Sequence, residues 1–127
     1  MKVKAFTRQI KGYYFIQKFD ENGKHEFIMN PENTLEDPGY IFHVQLFKTA
    51  SEAESYINSA TEKAKILYER YIGLTPEAGA DYERIYRSFF KDAEAENSIG
   101  NLAWNIFTSM LVNLGTSKLK FKVGEFL

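Results

Sequence analysis

The 127-residue sequence contains no cysteine, three prolines and a single tryptophan. The lack of cysteine excludes disulfide bonds, catalysis by a thiol and metal sites built from thiolates. Neither sign of charge dominates, because 16 basic and 17 acidic residues give a net charge of −1. Dedicated binding of duplex DNA depends on a strongly basic surface, so we do not expect it here.

Long apolar runs and catalytic motifs are also missing. No stretch approaches the roughly 20 apolar residues of a membrane span, and the N-terminal residues lack the apolar core of a signal peptide, so we expect a cytoplasmic protein. The sequence has no glycine-rich phosphate-binding motif and no nucleophile elbow. His25 and His43 are its two histidines, and they do not form a pair with metal-ligand spacing. We therefore predict no enzyme activity, no catalytic residue, no metal and no cofactor.

Apolar and aromatic side chains are abundant. Hydrophobic residues make up 44% of the chain and aromatic residues 16%, with 11 phenylalanines and 8 tyrosines. This supply is sufficient for one hydrophobic core, and the length predicts a single domain over residues 1–127. The aromatic rings exceed what a core of this size needs, so we expect some of them at a recognition surface.

The clearest local signal is a strand pattern that runs directly into a capped helix. Alternate apolar residues from Tyr40 to Leu46 predict a strand with one buried face. Thr49 and Glu52 then form a capping box, and apolar residues at helical spacing predict a helix that ends at Gly73. Because no loop separates the two elements, the helix is expected to fold back on the sheet, which indicates an α+β domain.

Similar patterns predict the remaining elements. We expect strands over Val3–Ile10, Tyr13–Phe19, Lys24–Met29 and Lys118–Val123, a loop over Asn30–Gly39, and helices over Asp81–Ala93 and Ile99–Leu114. Asn22-Gly23 predicts a type I′ hairpin turn, and the three lysines of the last strand predict a guarded sheet edge. The predicted fold is a mostly antiparallel sheet of about five strands (β-β-β-β-α-α-α-β) with three helices packed on one face. The last helix should be central, with Ile106 and Phe107 nearly fully buried.

The predicted helix over Asp81–Ala93 carries a candidate binding site. Arg84 and Arg87 are three residues apart and could converge on one anion, while Tyr82 and Tyr86 lie one turn apart beside them. Arginine and tyrosine are also typical of interface hot spots. The alternative is that both tyrosines are in the core and both arginines pair with acidic residues of the same helix.

Tyr13 and Tyr14 are a second candidate site. Adjacent strand residues point to opposite faces, so at least one of the two rings should lie off the main core unless both faces are covered. An exposed ring on a sheet can stack against the bases of a single strand.

The segment Phe47-x-Thr49-x-x-Glu52-Ala53-x-x-Tyr56-Ile57 resembles the strand-to-helix junction of small proteins encoded by bacteriophages and mobile elements. Many of those proteins are non-enzymatic inhibitors of host defence or transcription. The resemblance implies a binding protein and assigns no functional residues. Since catalytic motifs are absent and aromatic residues are abundant, we expect a protein that occupies another protein or sequesters a small anionic ligand. Two alternatives remain open, which are a nucleotide- or single-stranded nucleic-acid-binding domain and a structural homo-oligomer subunit.

We also expect homo-oligomerisation, because the chain carries more apolar surface than one domain buries easily. This surface comes from the last helix and from three pairs of residues, Tyr13-Tyr14, Phe89-Phe90 and Phe126-Leu127.

Overall fold

The structure, a computed structural model, describes residues 2–3, 10–20, 22–30, 33–37, 40–72 and 99–127. These residues form an α+β arrangement of strands and helices. In chain order they are β1 (Lys2–Val3), β2 (Tyr14–Phe19), β3 (His25–Phe27), β4 (Thr34–Asp37), β5 (Tyr40–His43), α1 (Ala50–Ile72), α2 (Ile99–Val112) and β6 (Lys120–Phe126). The chain divides into two compact units. The first unit is Met1–Ile57 with Leu119–Leu127, and the second unit is Asn58–Lys118.

The main sheet of the first unit has the strand order β1-β6-β2-β3. Strand β2 pairs antiparallel with β3 and with β6, whereas β1 pairs parallel with β6. The last strand therefore lies between β1 and β2, and the prediction that it is a sheet edge is wrong. Lys120 and Lys122 are exposed, whereas Gly124 and Phe126 at the following alternate positions are buried, so exposed lysines on part of one face do not require a sheet edge.

The prediction of one five-stranded sheet is also wrong. Strand β5 does not join the main sheet but pairs antiparallel with β4, which lies in the segment predicted to be a loop. The prolines, asparagines and glycine around Thr34–Asp37 suggested a loop. Strand pairing, however, is formed by backbone hydrogen bonds and does not require apolar side chains, so these four residues can pair with β5. In the following segment, Phe47 bridges to the main sheet opposite Tyr14, and the Gln45 N–H donates to the Ile28 carbonyl at 2.8 Å.

The described residues hold two helices rather than the three predicted, and the helix predicted over Asp81–Ala93 lies outside them. Helix α1 begins as expected, because the Glu52 N–H donates to Thr49 Oγ1 at 3.1 Å. The Glu52 carboxylate reaches back to accept from the Lys48 N–H at 3.3 Å. This reciprocal cap satisfies donors that would otherwise lack partners at the start of the helix.

The β2–β3 hairpin is confirmed, but its predicted turn type is wrong. Gly23 has a φ of 78°, whereas Asn22 does not have the positive φ that a type I′ turn requires. The Asp20 carboxylate accepts hydrogen bonds from the N–H groups of Asn22 and Lys24, each at 2.9 Å. These two bonds stabilise a longer turn in which Gly23, and not Asn22, takes the left-handed conformation.

Aromatic rings fill the core of the first unit. Phe15 and Phe126 are fully buried, with ring centroids 4.6 Å apart, and Phe27 meets the edge of Phe15 at 5.0 Å. Ile10 and Val44 are buried in the same cluster. Phe15 lies directly opposite Gly124 in the β2–β6 ladder, so its ring occupies the space that a side chain at position 124 would need.

The core of the second unit is centred on α2. Phe107 is 0% exposed and Ile106 is 2% exposed, which confirms that both are nearly fully buried. Tyr71 of α1 meets the edge of the Phe107 ring at 5.7 Å. Helix α2 ends at Val112, and the Gly115 N–H donates to the Met110 carbonyl at 2.7 Å. This bond belongs to a Schellman-type end, in which the preceding residue takes the left-handed conformation.

Candidate functional site

The residues predicted as a site on the second predicted helix lie outside the described residues. These are Tyr82, Arg84, Tyr86 and Arg87. Their role in binding an anion or an acidic partner stays a prediction.

Tyr13 and Tyr14 are both half-buried, and the structure does not bring them together as one site. Tyr13 packs against the buried cluster of the first unit. Tyr14 begins β2 and exchanges two backbone hydrogen bonds with Phe47, at 2.8 and 2.9 Å. As neighbours in an extended segment they point to opposite faces of the sheet. Tyr13 therefore contributes to packing, and Tyr14 lies at the junction with the segment that leads into α1.

The register of the main sheet assembles a different set of side chains. Phe19 of β2 is directly opposite His25 on one neighbouring strand and Lys120 on the other. Two residues away along the same strands, Gln17 is directly opposite Lys122. Residues paired across strands share a face, as do alternate residues along one strand. Phe19, His25, Lys120 and Lys122 therefore stand together on one face, and we call them the lysine–aromatic surface.

Short distances connect the members of the lysine–aromatic surface. Lys122 Nζ lies 5.2 Å from the centroid of the Phe19 ring, which is within the range of a cation–π interaction. The His25 ring lies 5.6 Å from the same ring, at an angle of 46°. Both lysines and His25 are exposed, whereas Phe19 is half-buried. The aromatic ring thus supports one ammonium group and one imidazole at the surface.

Gln17 is a buried residue on the same face of the sheet, and its amide is incompletely satisfied. The residue is 5% exposed, and its Nε2 donates to His25 Nδ1 over a long 3.4 Å contact. Its Oε1 is buried and has no hydrogen-bond partner among the residues that the structure describes. A buried acceptor without a partner costs about 1–3 kcal/mol, so an apolar residue would be the more stable choice for packing alone. Residues that lower stability in this way, by burying an unsatisfied polar atom, are expected preferentially at functional sites.

The two faces at this end of the sheet differ in charge. On the reverse face, Glu26 pairs with Lys24 at 3.2 Å and with Lys18 at 3.8 Å. Within the described part of the chain, neither Lys120 nor Lys122 forms an ion pair with a carboxylate. The lysine–aromatic surface therefore presents two ammonium groups whose charge is not neutralised by a described neighbour.

Sequence reasoning found part of this surface. The alternation of the last strand correctly indicated that Lys120 and Lys122 face water, and both are exposed. It did not connect them with Phe19 or His25, because the pairing of β6 with β2 spans about a hundred residues and leaves no local signal. The alternation of β2 gave one indication of the position of Phe19. Phe19 and the buried Phe15 are an even number of residues apart, so their rings lie on the same face of the strand, with Phe19 nearer the turn.

Neither a metal site nor a membrane-spanning helix is found in the residues that the structure describes. They contain no group of three or more histidine, aspartate or glutamate side chains that could hold a metal ion. No helix among them has the length and apolar character needed to cross a membrane. Comparisons with protein-family models, curated proteins and solved structures find no match for this chain.

Proposed function

We propose that this chain is a small non-enzymatic binding protein of the cytoplasm, which occupies a partner protein or sequesters a small anionic ligand. We further propose a setting in which a phage or mobile element uses it to inhibit a host system. The lysine–aromatic surface is the proposed contact region.

The observation that carries this proposal is the pair of exposed ammonium groups on Lys120 and Lys122 beside the Phe19 ring. Within the described residues the two lysines have no carboxylate partner, so an external anion need not compete there with an internal ion pair. The cation–π contact at 5.2 Å restrains Lys122 before binding, which reduces the entropy lost when the complex forms. Both features favour recognition of an anion without requiring chemistry at the site.

Native mass spectrometry of freshly purified protein tests this function. The variant K120E/K122E reverses the charge of the surface, and K63E/K65E makes the same change in net charge on exposed positions of α1. We expect wild type and K63E/K65E to retain a partner or ligand that K120E/K122E loses. The released species should keep its mass after incubation with the protein. A species retained equally by all three proteins, or one that is chemically changed, would contradict the proposal.

A nucleotide or single-stranded nucleic acid is the second candidate, and the half-buried Phe19 ring beside two lysines favours it. Aromatic rings stack on bases while lysines neutralise phosphates. With two phosphate contacts on a single strand, the logarithm of the affinity should fall with the logarithm of salt concentration with a slope of about −1.4. Absorbance at 260 nm released on denaturing the purified protein would support this candidate.

Homo-oligomer formation is a separate proposal, supported by apolar side chains at the surface. Ile66, Val112 and Leu114 of the second unit are 51%, 77% and 89% exposed. The expectation that Phe126 contributes to such an interface is wrong, because its ring is fully buried against Phe15. Light scattering at tens of micromolar should show a dimer or a larger species, and a strictly monomeric protein would contradict this proposal.

A further inference from the structure

Lys120 and Lys122 project from one face of β6 at strand spacing. A strand rises 3.2–3.4 Å per residue, so the Cα atoms of two residues at alternate positions are about 6.6 Å apart. Both residues belong to the ladder with β2, where Lys120 is opposite Phe19 and Lys122 is opposite Gln17. The backbone hydrogen bonds of the sheet therefore hold the bases of the two side chains at a constant separation.

The side chains around these lysines restrict where their ammonium groups can lie. Phe19 holds Lys122 Nζ at 5.2 Å from its ring centroid, and His25 contacts the same ring from the neighbouring strand. Because Lys122 and His25 both lie near Phe19, they compete with a nucleic-acid base for contact with this ring. A carboxylate avoids this competition, since it can bind the outward N–H groups of either lysine.

We propose that the lysine–aromatic surface binds an extended acidic segment of a partner protein, with carboxylates at alternate positions, laid along β6. This inference rests on the proposed binding function and names the chemistry of its partner. In an extended segment, side chains at alternate positions share one side and repeat at the same spacing of about 6.6 Å. An Asp/Glu-x-Asp/Glu segment therefore places two carboxylates against Lys120 and Lys122 together.

The arrangement of charges on the two faces favours this partner. On the reverse face, the single Glu26 carboxylate pairs with both Lys18 and Lys24, so it offsets part of their charge and would itself repel an acidic segment. On the lysine–aromatic surface, the described residues of β2, β3 and β6 contribute no carboxylate that would repel it. Charge complementarity therefore selects both the face and the sign of the partner.

The test is a titration of ¹⁵N-labelled protein, followed by NMR, with three defined probes. One is a seven-residue peptide with two glutamates at alternate positions, the second is its isomer with the glutamates adjacent, and the third is an eight-residue oligo(dT). We expect the alternating peptide to shift the amide signals of the lysine–aromatic surface and to bind about two- to fivefold more tightly than its isomer, because one exposed ion pair is lost in the isomer.

Variants locate the binding and show what positions it. K120E/K122E should lose binding of the alternating peptide, while the charge-matched K63E/K65E should keep it. Phe19→Leu should weaken binding about two- to fivefold by removing the cation–π contact. Dispersed amide signals establish that each variant is folded, and a Phe19→Leu protein that binds like wild type would remove Phe19 from the proposal.

The remaining outcomes separate this inference from the function on which it rests. Equal affinity for the two peptides would overturn the extended register, and tighter binding of oligo(dT) than of either peptide would overturn the acidic protein partner. In both cases an anion-binding function would survive. If none of the three probes shifts these signals at millimolar concentration, both the inference and the use of this surface for binding are wrong.

Discussion

Replacing Gly124 with alanine should destabilise the first unit through a steric clash with Phe15. An added Cβ would lie 2.7 Å from both Cε atoms of the Phe15 ring and closer still to Cζ. Favourable contacts between carbon atoms lie at about 3.5–4.0 Å, so the ring would have to move by about 1 Å or more. Gly124 does not have a positive φ, so this cost arises from the clash and not from backbone strain.

The ring has little space in which to move. Phe15 is fully buried, and its centroid lies 5.0 Å from that of Phe27 and 4.6 Å from that of Phe126. Overpacking a well-filled core costs about 1–3 kcal/mol, and we expect Gly124→Ala at the upper end, near 3 kcal/mol. For a chain of this length that corresponds to a fall in Tm of about 10 °C.

Urea denaturation followed by circular dichroism measures this loss, and a double-mutant cycle assigns it to one contact. Phe15→Leu removes the end of the ring, so Gly124→Ala should cost about 1–2 kcal/mol less in that background than in wild type. As a control, Gly12→Ala adds a Cβ in open space at a φ of 83° and tests backbone strain alone. A loss below ~0.5 kcal/mol for Gly124→Ala, or strict additivity with Phe15→Leu, would refute the steric explanation.

Four further perturbations test other parts of the structure. Phe107→Ala should lower the free energy of unfolding by about 3–5 kcal/mol because it empties the centre of the second unit, and a loss below ~1 kcal/mol in urea would contradict that position. Leu114 is exposed and has a φ of 55°, which strains the backbone of a residue with a side chain. Leu114→Gly should therefore raise the urea midpoint by relieving roughly 0.5–1 kcal/mol of backbone strain. A lower midpoint would show that the Leu114 side chain stabilises the fold. Burial raises the pKa of Tyr56 above its usual 10.0. The contribution of the neutral Tyr56 side chain to the free energy of unfolding should therefore be full below pH 10 and should decline as the pH rises toward the folded-state pKa. Tyr56→Phe should reduce that decline in pH-dependent melting curves. Gln17→Met removes the unpartnered Oε1 and should change the free energy of unfolding by between zero and about +1 kcal/mol, and a clear loss in urea would mean that the contact with His25 is structurally important.

Most of the local structure could be predicted from the sequence. The cap at Thr49, the helix that follows it and the buried stripe of α2 depend on side chains within a few residues of each other. Such patterns are visible in one stretch of chain because helical hydrogen bonds join residues four apart. The turn after β2 was placed correctly, but the type I′ conformation predicted for it was wrong, because hydrogen bonds to the Asp20 carboxylate help to determine its geometry.

The candidate surface could be predicted only in part. The exposure of Lys120 and Lys122 followed from alternation within one strand, whereas their position beside Phe19 followed from a register between distant segments. The charge difference between the two faces is likewise invisible in the sequence, because it depends on which lysines reach Glu26. The predicted arginines, Arg84 and Arg87, lie outside the described residues and remain to be tested.

By itself the sequence determined the α+β class, the hairpin after β2, the two described helices and the exposure of Lys120 and Lys122. These features follow from hydrophobic period, capping and turn residues, which act over short distances along the chain. Tertiary structure alone decided that β6 lies inside the main sheet, that β5 pairs with β4, and that Gly124 continues a strand instead of ending it. Strand partners are chosen by backbone hydrogen bonds between segments remote in sequence, and a glycine is accepted within β6 because the Phe15 ring fills the space beside it.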